Sequence, residues 1–234
     1  MGYALWLVPV ERERRALARL MAFRPSYRRK TGSRSYPIFA PHITLVRFSG
    51  PSLPSLGHVV PPDATETPVS FETMRVGDNY LGALSITISK SRELMDLHDD
   101  IVNRLEAMYQ IETKSRRFPH LSLFYVDEAD ERQRLGNELI QTGRVQRGAN
   151  DEGLLLTYDP GDKTLKPMDG FTVGEIWLMD CTSRVVGDWE VKEKWILPSS
   201  ERPPSRYGIT PLPPPSRTKW WRNLFGKGWW RTAD

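Results

Sequence analysis

Cysteine is almost missing from this chain of 234 residues: Cys181 stands alone. A single thiol rules out an intramolecular disulfide framework and fits a reducing, intracellular, cytoplasmic setting. With no His or Asp phrase to support it, Cys181 is expected as a half-buried residue at a strand end rather than a nucleophile. Histidine is scarce as well, with four in all. No apolar run approaches the ~20 residues of a membrane span. The opening Met1-Gly2-Tyr3-Ala4-Leu5-Trp6 runs straight into charged residues, so no secretory leader is expected. Trp6 stands where myristoylation would need a Ser or Thr. Most of the chain also lacks a charge excess of one sign. The formal net charge is +4, but from Glu201 onward seven basic residues meet two acidic ones, leaving the rest near neutral. Overall basicity is therefore weak support for a grip on long nucleic acid.

What is present is one phrase written twice: Ala40-Pro41-His42-Ile43-Thr44-Leu45 and Phe118-Pro119-His120-Leu121-Ser122-Leu123. In an extended strand side chains alternate, so His42 shares a face with Thr44, and His120 with Ser122. Ile43, Leu45, Leu121 and Leu123 then turn toward a core. A His followed two residues later by Ser or Thr arises by chance at roughly one His in eight. Two copies among four histidines, each with Pro before and Leu after, are much harder to obtain that way. Two imidazoles with unperturbed pKa values near ~6.5 supply a base and an acid together around neutral pH. Hydroxyls can donate to the non-bridging oxygens of a phosphate without a metal. The pattern points to general acid–base chemistry on a phosphodiester. The alternative is a pair of buried histidines satisfied by neighbouring hydroxyls.

The intervening segments predict an α+β domain. Strands are expected at residues 3–8, 42–48, 69–77, 81–89, 120–125, 171–179 and 189–196, the last two as a hairpin. Amphipathic helices are expected at 11–23, 91–109 and 130–141. Ser91 can cap the second, whose buried stripe is Leu94, Leu97, Ile101, Leu105 and Met108. His58 and His98 are expected at the surface. Ser85, Thr87 and Ser89 make a hydroxyl face that either borders the site or meets solvent. Residues 26–37 form a basic loop in which Tyr27 and Tyr36 could stack on a base, and 114–117 form a basic link into the second motif. A polar connection spans 142–170, with a strand at 154–158.

The doubled motif resembles that of the 2H phosphoesterase superfamily. The wider phrases are similar to its cyclic phosphodiesterase branch of fungal and plant type, over residues 1–198. The resemblance rests on Ala4-Leu5-Trp6-Leu7-Val8-Pro9, the two motifs, the extension His120-Leu121-Ser122-Leu123-Phe124-Tyr125, and the closing stretches 171–180 and 189–197. It implies a two-lobed, LigT-like α+β fold whose antiparallel sheets face a central cleft, with His42 and His120 on its floor. It further implies His120 as base, His42 as acid, and Thr44, Ser122 and Tyr125 as substrate-binding residues. Tyr125 lies an odd number of residues from His120, so only a bulge or a strand end would bring it to the same face. The implied reactions open nucleoside 2′,3′-cyclic phosphates to 2′-phosphates and ADP-ribose 1″,2″-cyclic phosphate to the 1″-phosphate. Such products belong to RNA and transfer-RNA splicing chemistry. No cofactor is expected, the motifs having no carboxylates at metal-ligand spacing. The implied protein is a monomer acting on a small molecule, with no stable nucleic-acid partner.

Residues 199–234 fall outside the resemblance. They begin as a Pro-rich linker and end in four tryptophans interleaved with Lys219, Arg222, Lys227 and Arg231. Interfacial binding to internal membranes such as the Golgi, stacking on single-stranded RNA, and folding back onto the core are the three readings. Two rival functions follow from the chain as a whole. One is a related enzyme acting on RNA ends; the other is a tethered binding module whose motifs are vestigial.

Overall fold

Residues 4–8 are all apolar and cannot leave either face in water. They form a strand, β1 (Tyr3–Pro9), buried from Ala4 onward. The computed structural model describes residues 2–26, 34–50, 52–114, 117–148 and 152–199. These lie in one compact unit that spans residues 1–204. Of the expected tail, everything beyond Ser199 lies outside the described residues, as does Tyr27.

The elements follow as α1 (Glu11–Met21), β2 (Ile43–Phe48), α2 (Leu56–Val59), β3 (Thr67–Val76), β4 (Leu84–Ile88) and α3 (Arg92–Tyr109). Then come β5 (Thr113–Lys114), β6 (His120–Phe124), α4 (Ala129–Gln141), β7 (Val145–Arg147), β8 (Leu154–Leu156), β9 (Gly170–Asp180) and β10 (Glu190–Ile196). All pairings within the main sheet are antiparallel, as the α+β expectation required. The sheet runs β1-β2-β6-β4-β3-β9, and β9 returns to β1, so the pairings close a ring. β10 extends the other edge of β9, and β5 that of β2. The two motif strands, β2 and β6, meet at a single pair, Ile43 opposite Leu121.

The helices form for legible reasons. Ser91 Oγ accepts from the Leu94 N–H at 3.3 Å, capping α3 as its sequence predicts. Leu94, Leu97, Ile101 and Leu105 are buried beneath it. Met108, expected on that stripe, is 54% exposed. It sits in the final turn, where Gln110 enters the left-handed region at φ 54° and leads the chain away. In α1, Leu17, Ala18, Leu20 and Met21 face inward. The polar connection holds a small hairpin of β7 and β8, and the first of these strands was not expected.

Two side chains, His98 and Tyr36, differ from expectation. His98 has a side chain only 12% exposed; its ring stacks on Phe118 with centroids 4.4 Å apart. His58 is at the surface but has a partner, the Tyr109 hydroxyl at 2.9 Å. Tyr36 is a core residue, 5% exposed and edge-on to Phe124, rather than a free stacking platform. No helix among the described residues is long and apolar enough to cross a membrane.

Candidate active site

In an antiparallel pair, opposed residues share a face. From Ile43 opposite Leu121, one step either way sets His42 across from Ser122 and Thr44 across from His120. The four polar side chains of the two motifs thus occupy one face of two adjacent strands. The histidines lie on a diagonal, where Cβ atoms are about 7–8 Å apart. Trp6 stands opposite Thr44 on the outer side of β2, and Ser85 opposite Ser122 on the outer side of β6. The hydroxyl face of β4 therefore borders the site. Ile43, Leu45, Leu121 and Leu123, all 0% exposed, anchor the strands from behind.

Both imidazoles are held by the chain just before them. His42 Nδ1 lies 2.7 Å from the Ala40 carbonyl, and His120 Nδ1 lies 2.7 Å from the Arg117 carbonyl. A carbonyl only accepts, so each Nδ1 carries the hydrogen and each Nε2 is left for other work. Arg117 adopts φ 64° to aim its carbonyl, a conformation few non-glycine residues take. His42 is 2% exposed and lies flat on Trp6, centroids 3.5 Å apart and planes within 5°. Burial pushes its pKa down to about 3, against the Ala40 hydrogen bond and with help from His120 and Arg47. His120 is half-buried. Its pKa is lowered by desolvation first, opposed by the Arg117 carbonyl, and further by the guanidiniums of Arg47, Arg117 and Arg75. Both rings are thus neutral near pH 7.

A cleft of about 400 Å³ opens beside β1 and β2. Trp6, His42, Thr44, Arg47, Tyr125, Cys181 and Trp189 are among its walls. His120 and Ser122 do not line it; they stand on the neighbouring strand. Tyr125 reaches it because β6 is irregular. Leu84 pairs with Phe124 and Ser85 with Ser122, so Leu123 is an extra residue and the alternation slips by one. Tyr125 then follows on the site face, stacked on Phe39 at 4.3 Å, with the Ser122 side chain beside it. Burial pushes its pKa up to about 12. Cys181, just past β9, is 8% exposed, with its thiol also pushed up to about 12 by burial. Among the described residues no group of three or more His, Cys, Asp and Glu could hold a metal ion.

The family model of cyclic phosphodiesterase-like proteins matches residues 1–197. The chain belongs to that family. Membership supports a phosphoesterase activity of the 2H type. No curated protein matches the chain. Among solved structures it is similar to a phosphoesterase, with 13% identity over 85% of this chain and 98% of the other, at a TM-score of 0.46. It is also similar to E. coli LigT in its apo form, with the same identity and coverage and a TM-score of 0.42.

For a cyclic phosphodiesterase-like protein the two motifs fall where a reader of the sequence would look. Arg47 does not. A strict period of two puts it opposite Thr44, on the core side, yet it lines the cleft. Its signal was present in an unexpected place: it stands five residues after His42, as Tyr125 stands five after His120.

Proposed function

We propose that this protein hydrolyses cyclic phosphodiesters of ribose by two-histidine acid–base catalysis, in the manner of the fungal and plant members of its family. The substrates are nucleoside 2′,3′-cyclic phosphates, opened to 2′-phosphates, and ADP-ribose 1″,2″-cyclic phosphate, opened to the 1″-phosphate. The observation that carries this reading is the crossed register of the motifs, with each histidine facing the other motif's hydroxyl residue. A phosphate seated on that face has an Nε2 on either side and a hydroxyl beside each.

In the ring opening, one Nε2 takes a proton from water as the water oxygen bonds to phosphorus. The other gives a proton to the ribose 3′ oxygen as its bond to phosphorus breaks. Thr44 and Ser122 donate to the non-bridging oxygens, where charge grows in the transition state. Tyr125, beside Ser122, closes the polar face. The family resemblance makes His120 the base and His42 the acid. Burial keeps His42 unprotonated, so its acid role requires a bound anion to raise its pKa. The protein acts as a monomer on a small molecule, and the residues beyond 199 serve peripheral attachment to internal membranes. A second reading, action on cyclic phosphates at RNA ends, draws on the three guanidiniums that surround His120.

Turnover of a nucleoside 2′,3′-cyclic phosphate in EDTA, in wild type, His42→Ala and His120→Ala, tests the proposal. Metal-free formation of the 2′-phosphate is expected, with a loss of ~10²-fold or more in each variant. Unchanged rates in both variants would sink it. An oligoribonucleotide end turned over far better than the mononucleotide would move the assignment to RNA.

A further inference from the structure

β2 carries the same irregularity as β6. Leu5 pairs with Val46 and Trp6 with Thr44, so Leu45 is the extra residue, three places after His42, as Leu123 is three places after His120. The slip sends Val46 to the core, 0% exposed, and turns Arg47 to the site face opposite Ala4. Arg47 is therefore the counterpart of Tyr125 in the repeated motif, each five residues after its histidine and two after the extra leucine.

Across the other edge of β2, Arg47 is paired with Lys114. Two cations directly opposed on one face repel each other. Neither side chain makes a hydrogen bond or ion pair with a described residue, and both are exposed. The guanidinium lines the cleft with His42 and Thr44, and its field reaches His42, His120, Tyr125 and Cys181. A guanidinium turned into a cleft by a bulge, with a second cation beside it and no counter-ion among the described residues, suits a ligand of opposite charge.

We propose that Arg47, backed by Lys114, is the anionic anchor point of the site, its guanidinium gripping the non-bridging phosphate oxygens from the first half while Tyr125 closes from the second. This assignment rests on the phosphoesterase reading above and adds to it a cationic contact that neither motif contains. A planar guanidinium can offer two parallel N–H donors to one phosphate. The anion would also offset the guanidinium's share in keeping the imidazoles unprotonated, a share smaller than that of burial.

The test is binding of inorganic phosphate and of a nucleoside 2′-phosphate to the full chain at low ionic strength. Wild type is compared with Arg47→Gln, Arg47→Lys and Lys114→Gln, alongside kcat/KM for the cyclic nucleotide. Arg47→Gln is expected to weaken both ligands about 10- to 100-fold and to lower kcat/KM in parallel. Arg47→Lys should recover only part, and Lys114→Gln should lose a few-fold. Melting temperatures near wild type are expected, since both side chains are exposed, and Arg47→Lys keeps the comparison valid if Arg47→Gln melts early. Phosphate binding by Arg47→Gln within twofold of wild type would overturn the assignment, as would failure of wild type to bind at millimolar phosphate. Arg47-dependent binding without any cyclic nucleotide turnover would support the anchor while removing the proposed reaction.

Discussion

Acid should destabilise this protein through one imidazole above others. His42 is 2% exposed, flat on Trp6 and committed to the Ala40 carbonyl. Burial strips the imidazolium of water and takes the pKa from 6.5 to about 3. In the unfolded chain that penalty is absent, so the unfolded state takes up the proton first as pH falls. Stability is therefore fully present above about pH 6.5, falls as pH drops through that value, and stops falling near pH 3. The loss attributable to His42 is about 2 kcal/mol between pH 7 and pH 5, and about 4 kcal/mol by pH 3. His120 is shifted the same way and adds to the slope. Denaturant unfolding of wild type and His42→Gln at pH 7 and pH 5 separates the contribution, because glutamine is neutral throughout. Wild type should lose about 2 kcal/mol more than the variant over that interval. Equal losses would refute the desolvation argument, whatever the variant's absolute stability.

Two further outcomes follow from the packing. Ser91→Ala removes the acceptor for the Leu94 N–H and should cost about 1 kcal/mol in denaturant unfolding, with no change in turnover. A variant as stable as wild type would mean that water or another group serves that N–H equally well. Cys181, with its thiol pushed up to about 12, should be nearly inert to a thiol reagent at pH 8 in the folded protein and react at once in denaturant. Fast labelling of the folded chain would show that the cleft wall opens at this point.

Much of the candidate site is legible because strand alternation is a strong rule. It places His42 with Thr44, His120 with Ser122, and the four aliphatic neighbours behind them. The rule fails at the fourth residue of each motif strand, where Leu45 and Leu123 are inserted. Neither is a glycine, and nothing local distinguishes a bulged leucine from a paired one. Arg47 was hidden for that single reason, and Tyr125 was reached through the family resemblance rather than through the strand pattern. Ser85 was undecided because its face is set by its neighbour, β6, rather than by its own segment. His98 reads as surface beside Asp99 and Asp100, and only the approach of Phe118 from a distant loop covers its ring. α3 was legible because its cap and stripe are both local.

The pairing about Ile43 and Leu121 has a consequence for how a ligand is turned. A histidine–hydroxyl pair meets the visitor from either end, so the motifs alone give a phosphate no preferred direction. Handedness must come from positions where the halves disagree. Trp6 occupies the place that Ser85 holds in the other half, and Arg47 the place of Tyr125. Trp6, Arg47 and Tyr125 line the cleft, while Ser85 stands on the strand beyond β6. Under the proposed reaction, the side chains that decide which ribose oxygen departs therefore lie outside the repeated phrase.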